Sequence, residues 1–261
     1  MRSPVIDVAT HAPLEAARAL FESRDISSVL VRDVRGAAVG VISRSDLLRI
    51  AATNTQEIVV VDLADSRVRD VMARGVVTVS SECEVAAAAR EMVERHIHRV
   101  YVEVDGEVRG VFGTRDAMAA MIERRLADPI SAFMSAPVLS VQFDEPIGRA
   151  IAQFKVSHVS GLVVQEGEWP VGLFTQREAL EARSMSPTAP VEQVMTASLV
   201  CLQADTPLHR AAALSVATRA RRVLALEGRR VVGLLTGLDF CRALAASGPR
   251  GGSAASDVSV P

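Results

Sequence analysis

Lysine is almost missing from this chain of 261 residues: Lys155 stands alone, and arginine supplies 28 of the 29 basic side chains. That bias reads first as codon usage and only second as a supply of guanidinium groups for phosphate. With 31 carboxylates the formal net charge is -2, so the molecule as a whole has no field that draws nucleic acid or an anionic membrane, and any anion site must be local. Cysteine is scarce as well. Cys83, Cys201 and Cys241 are odd in number and form no CxxC, which excludes a disulfide framework or a zinc ribbon and fits a reducing compartment. No run of 18 apolar residues occurs, which excludes a membrane helix, and Met1 to Val5 lacks the apolar stretch of a signal peptide; a cytoplasmic protein is expected. Catalytic signatures are missing too: there is no GxSxG elbow, Walker loop, HExxH or GxGxxG after a strand, so the expectation is a protein that is not an enzyme.

What is present is a hydrophobic fraction of 49% beside 23% charged residues, the balance of a globular chain holding one large or two modest domains. The chain also repeats itself four times. Gly40-Val41-Ile42-Ser43-Arg44-Ser45-Asp46 recurs as Gly110 to Asp116, Gly172 to Glu178 and Gly233 to Asp239, at steps of 70, 62 and 61 residues. A second marker, Val71-Met72, Phe133-Met134 and Val194-Met195, places each methionine 44 residues before the acid that closes its unit. Proline follows the methionine by twelve residues at Pro146 and Pro207, and Pro13 stands twelve after Met1, while Glu84 holds that place in the second unit.

Each unit reads as β-α-β-β-α. A short apolar stretch such as Val76 to Val79 leads to a helix opened by proline, with Thr206 as a plausible N-cap before Pro207. Leu14, Ala17, Leu20 and Phe21 repeat at helical spacing, as do Ile147, Ile151 and Phe154. Two strands follow, joined at Asp105-Gly106 in the second unit and around Gly228 in the fourth. A final helix begins near the acid of the glycine motif. The fold class is therefore α/β (α+β), and units of about 60 residues are too small to bury a core alone, so they should pair. The boundaries are repeat 1 at 1–52, a linker at 53–69 with a possible extra strand at Ile58 to Val61, repeat 2 at 70–123, repeat 3 at 124–183, repeat 4 at 184–246, and a disordered Gly/Ser/Ala-rich tail at 247–261.

These glycine motifs and Val-Met openings resemble four CBS domains, paired as two tandem Bateman modules with pseudo-two-fold symmetry. The segment His96-Ile97-His98-Arg99-Val100-Tyr101-Val102 is similar to the adenine-nucleotide-binding regulatory subunit of the AMP-activated kinase. The resemblance implies a non-catalytic sensor that binds AMP, ADP or ATP, with S-adenosylmethionine, NAD or a cyclic dinucleotide as other ligands of the class. It also implies a homodimer and a regulated protein partner.

Carried onto this chain, the family pattern Gly-x-x-Thr/Ser-x-x-Asp is complete in the first unit, where Asp46 would hold ribose and Ser43 and Ser45 ribose or phosphate. Thr236 and Asp239 keep it in the fourth. Asp116 survives in the second beside Gly113, which lacks the hydroxyl, and Thr175 survives in the third beside Glu178, which replaces Asp. Before the second strand, the second unit carries His98 and Arg99 and the fourth carries Arg221 and Arg222, where the others carry Ser27, Ser28, Ser160 and Gly161. The expected groupings are Ser43, Ser45 and Asp46 with His98 and Arg99, and Thr236 and Asp239 with Arg219, Arg221 and Arg222. A Gly before a buried strand and an Asp at a helix start also make good capping chemistry without a ligand. Two other functions stay open: a ligand-free interaction scaffold, and nucleic-acid binding through the Arg219 to Arg230 cluster, which the net charge argues against. His96 and His98 have no further metal ligands at sensible spacing, so no metal is expected.

Overall fold

Four apolar strand-helix-hairpin units fold as their spacing dictates in a computed structural model that describes residues 1–24, 26–47, 66–157, 159, 161–182, 185–248 and 255–258. The first repeat runs β1 (Asp7–Ala9), α1 (Leu14–Ser23), β2 (Ser28–Arg32) and β3 (Ala38–Ser43), and a helix then starts at 44–47. The second opens with a short α2 (Val68–Val71) and β4 (Ala73–Arg74) and continues through β5 (Val76–Ser80), α3 (Val85–Glu94), β6 (Arg99–Val104), β7 (Glu107–Gly113) and α4 (Thr114–Arg124). In the third, β8 (Ser140–Gln142), α5 (Ile147–Ser157), β9 (Gly161–Glu166), β10 (Trp169–Thr175) and α6 (Gln176–Glu181) follow one another. The fourth holds β11 (Cys201–Gln203), α7 (Leu208–Thr218), β12 (Arg222–Glu227), β13 (Arg230–Thr236) and α8 (Gly237–Ala246). The strand expected at Ile58 to Val61 lies outside the described residues.

In every repeat the first strand runs parallel to the second, as in Thr78↔Tyr101 and Cys201↔Leu224, and the second pairs with the third as an antiparallel hairpin. The turn of the second hairpin is Asp105-Gly106 with φ of 51° and 77°, the two left-handed residues a two-residue turn needs. Leu14, Ala17 and Phe21 put one face of α1 into the core, while Phe154 and Phe174 stack at 5.6 Å between helix and sheet of the third repeat.

The helix starts differ from expectation. Proline occupies the N-cap rather than the first helical position, at Pro13 before α1 and Pro207 before α7, and the Thr206 side chain does not cap. The orphan amides are satisfied by backbone that leads into the other repeat of the pair: Leu14 N donates to Ser66 O at 3.1 Å, Ile147 N to Ala189 O at 2.9 Å, and Leu208 N to Asp128 O at 2.9 Å. A side-chain cap is unnecessary where a neighbouring carbonyl already stands.

The chain divides into two compact units, residues 1–91, 99–113 and 250–261 in one and 92–98 and 114–249 in the other. Each unit is knitted by the two markers read from the sequence, which turn out to touch one another. A β-carbon placed on Gly110 would stand 2.6 Å from the Met1 sulfur, and one on Gly40 would stand 3.0 Å from the Met72 sulfur. In the second unit Met134 covers Gly233 and Met195 covers Gly172 in the same way. Repeat 1 thus lays its opening on repeat 2 and receives that of repeat 2 in return, and repeats 3 and 4 exchange likewise; the bridges Arg2↔Val111, Ser135↔Leu234 and Leu173↔Thr196 continue each exchange. Between the sheets so joined lie two apolar seams, Leu30, Val76 and Tyr101 in the first unit and Val163, Leu173 and Leu224 in the second. Within the second unit α4 packs against α7 and α8.

Part of the tail expected to be disordered is a strand. β14 (Ala255–Val258) pairs antiparallel with β5, Ala255 opposite Val79 and Val258 opposite Val76, and covers an edge that β5 would otherwise present to solvent.

Candidate functional site

A hydroxyl three residues before a carboxylate can close a capping box, because the acid then falls at the third position of a helix whose first amides lack partners. The final helices begin two residues before their acids, so Asp116, Glu178 and Asp239 all lie in a first turn. In the first repeat the Ser43 amide donates to Asp46 Oδ2 at 2.8 Å and the Ser43 hydroxyl to the same oxygen at 2.6 Å. Both side chains are half-buried, and Ser45 beside them is exposed.

An arginine brings the second repeat to this loop. Ser28 stands opposite Ser43 in the hairpin. Across from Ser28, the Arg99 guanidinium donates to the Ser27 hydroxyl at 2.7 Å and to the Ser28 carbonyl at 3.4 Å. The Ser28 hydroxyl itself is buried, with 7% of its residue surface exposed, beside the phenol of Tyr101. Burial pushes that phenol up, against the opposing pull of Arg99 and of a hydrogen bond with Ser28. His98 belongs to the second unit, where its carbonyl accepts the Thr114 amide at 3.3 Å. Asp116, half-buried, also lies in that unit.

The second unit repeats the design with different surroundings. The Thr236 amide and hydroxyl donate to Asp239 Oδ2 at 2.6 and 2.8 Å, and the other oxygen, Oδ1, accepts from Arg242 at 2.7 Å and from the Ser135 hydroxyl at 3.2 Å. Asp239 is 3% exposed and both its oxygens are engaged. In the third repeat the Thr175 amide donates to Glu178 Oε2 at 3.0 Å, and the Thr175 hydroxyl donates to the same oxygen. These two side chains are 8% and 7% exposed.

Arg222 stands opposite Thr236 in the β12–β13 hairpin, and its side chain reaches the third repeat. Its guanidinium lies over Gly161, 3.5 Å from where a β-carbon would be, and Thr175 is the register partner of Gly161. Burial lowers the Arg222 pKa, Glu178 opposes that shift and Arg221 adds to it. Sequence reasoning missed Ser28, Ser135 and Arg242: Ser135 meets Asp239 from 104 residues away, whereas Arg242 lies three residues after it on α8, a spacing that could have found it.

The arginine cluster does not form one surface. Arg222 starts β12, while Arg229 lies beyond its end, about 17 Å or more along the strand. Arg229 stacks on Trp169 at 5.0 Å and Arg230 pairs with Glu227 at 3.3 Å. Among the described residues no group of three His, Cys, Asp or Glu side chains could hold a metal, and no helix is long and apolar enough to cross a membrane.

The family model for the CBS domain matches residues 1–53, 68–123, 130–184 and 191–246. Among solved structures, a Methanocaldococcus jannaschii protein described as a proposed archaeal homologue of gamma-AMPK superposes with a TM-score of 0.76 at 13% identity, covering 93% of this chain and 97% of its own. An uncharacterised conserved protein of Pyrococcus horikoshii gives 0.69 at 19% identity, covering 94% and 97%. At these identities the likeness is one of fold. A curated relative, an uncharacterised 33.4 kDa protein in a ribosomal RNA operon of Thermofilum pendens, is 25% identical over 186 residues, 66% of this chain but only 59% of the relative.

Proposed function

The chain belongs to the CBS-domain family, and on that premise we propose that it is a non-catalytic regulatory protein that binds an adenine nucleotide, AMP, ADP or ATP, in its first module and relays the binding to a protein partner. Asp46 holds the ribose hydroxyls, Ser43 and Ser45 contribute hydroxyls beside it, and Arg99, with His98 next to it in sequence, takes phosphate. The observation that carries this reading is that the Ser43–Asp46 cap stands opposite the buried Ser28 in the hairpin, where the Arg99 guanidinium bonds to Ser27 and Ser28. A carboxylate accepts two ribose hydroxyls, and a guanidinium matches a phosphate with two parallel donors.

A second reading, a ligand-free scaffold, is favoured by one observation, the full engagement of Asp239. Thermal unfolding of ligand-stripped protein separates the two. A ligand at about a hundred times its Kd adds roughly 2.7 kcal/mol, several degrees at this size. A shift with AMP, ADP or ATP that Asp46→Ala removes supports the sensor. No shift with these, S-adenosylmethionine, NAD or cyclic dinucleotides at millimolar concentration leaves the scaffold.

A further inference from the structure

We infer that the outer edge of β5 is a strand-addition site, at which a second copy of this chain pairs through its own β5 once β14 is displaced. β14 holds the edge closed until then. The inference is independent of the proposed nucleotide site.

Each sheet has two edges to protect. The edge formed by the last strand of the hairpin is met by the opening of the other repeat, through β4 on β3 and through the bridges at Val111, Leu173 and Leu234. The opposite edge is the first strand of the repeat. β1, β8 and β11 are three residues long, end their sheets among the described residues, and expose Asp7, Ser140, Gln142 and Gln203. Short length and exposed polar residues discourage pairing. β5 has a different character: it runs for five residues, Val76-Val77-Thr78-Val79-Ser80, with four of them β-branched and none charged. It is also the first strand that carries an outer partner, β14.

The residues of β14 give it little strand preference of its own, since Ala255 and Asp257 are poor strand formers and Val258 alone is β-branched. The backbone ladder with Val76 to Val79 holds the segment, and a ladder is open to any extended chain that reaches the edge. A second β5 suits this edge on three counts. A two-fold axis normal to the sheet brings two equal edges together antiparallel, the sense in which β14 already pairs. Centred on Thr78, that axis sets Val77 against Val79 and Thr78 against itself, all β-branched cross-strand pairs. The exposed Arg74 and Glu82 stand four residues to either side of Thr78, so the basic end of one edge meets the acidic end of the other.

The test uses the full chain carrying Ser256→Pro and Asp257→Pro together, which removes two backbone donors from β14 and leaves β5 unaltered. Hydrogen exchange at Val76 to Val79, read at a dilution where neither chain associates, is expected to quicken at least about tenfold in this variant. Unchanged exchange overturns the inference. In sedimentation velocity over a concentration series, the variant is expected to associate at concentrations at least about tenfold below those the unaltered chain needs. Adding Val77→Lys should abolish that gain, because charge on an edge opposes pairing, and a synthetic peptide of residues 251–261 should reverse it. The peptide decides alone if the lysine variant does not fold. An unchanged sedimentation profile overturns the inference, as does association that survives either treatment. Capture of the peptide without self-association also overturns it, because the edge then serves this segment and no second copy.

Discussion

The Ser43–Asp46 loop of the first repeat and the Thr236–Asp239 loop of the fourth make the same two hydrogen bonds, yet they occupy different surroundings. Asp46 is half-buried in a loop whose hairpin partner Ser28 is buried and accepts a bond from Arg99 of the neighbouring repeat. Asp239 is enclosed, and Arg242 and Ser135 take its second oxygen. The four-residue motif specifies a helix cap in both. Residues outside the motif decide whether the carboxylate also faces a ligand, so counting motifs overstates the number of sites.

The strongest way to break this comparison is to delete each acid and read two properties. Asp239→Ala should cost about 2 kcal/mol in urea denaturation, because it removes the capping box of α8 and the acceptor shared by Arg242 and Ser135, and should leave nucleotide affinity unchanged. Asp46→Ala should do the reverse, lowering affinity by about ten- to a hundredfold, the worth of one or two charge-assisted bonds, while costing only about 1 kcal/mol of cap stability. Equal loss of stability in both variants would mean that both loops are structural.

The exchanged openings sharpen the comparison at a smaller scale. In Gly40→Ala the new methyl meets the Ala73 carbonyl, a backbone atom, whereas in Gly233→Ala it meets the flexible Met134 side chain. Overpacking should therefore cost about 2–3 kcal/mol at Gly40 and about 1 kcal/mol at Gly233 by denaturant midpoint. The reverse order would show that the methionines are held more firmly than the backbone they cover.

The last effect, felt only in alkaline solution, concerns Cys241, enclosed in α8 next to Asp239. Burial, helped by Asp239, pushes its thiol from 9.0 up to about 12. The folded state prefers the neutral thiol, so this contribution is complete below pH 9.0 and is lost as pH rises from there toward 12. Cys241→Ala should flatten the alkaline fall in stability over that interval. An unchanged slope would mean that the thiol does not differ between the folded and unfolded chain.

Much of the fold was legible in the sequence because repetition amplifies weak signals. One glycine before two apolar residues says little, but four in register with methionines 44 residues before three of the acids define the units, and Asp105-Gly106 places a hairpin turn by its left-handed tolerance alone. The sequence also marked methionine and glycine separately without showing that they meet, since that contact joins different repeats. Thr206 was misassigned as a cap because the amides it would have served are taken by Asp128 and its neighbours across the chain. β14 was invisible: a Gly/Ser/Ala-rich segment acquires strand structure only from the exposed edge of β5.

The candidate site divides in the same way. Ser43 with Asp46 and Thr236 with Asp239 are local pairs, so spacing predicts their bonds. Which repeat an arginine's side chain reaches is set by tertiary packing, as in Arg222, which is the hairpin partner of Thr236 and lies over Gly161. Ser28 was counted as a position in the sequence, but its meaning comes from burial, which has no local signature.

The most direct test is isothermal titration of the ligand-stripped chain with AMP, ADP and ATP, alongside Asp46→Ala and Asp239→Ala. The account predicts that at least one nucleotide binds, that Asp46→Ala removes this binding, and that Asp239→Ala keeps it. Binding that survives Asp46→Ala and disappears with Asp239→Ala would contradict it.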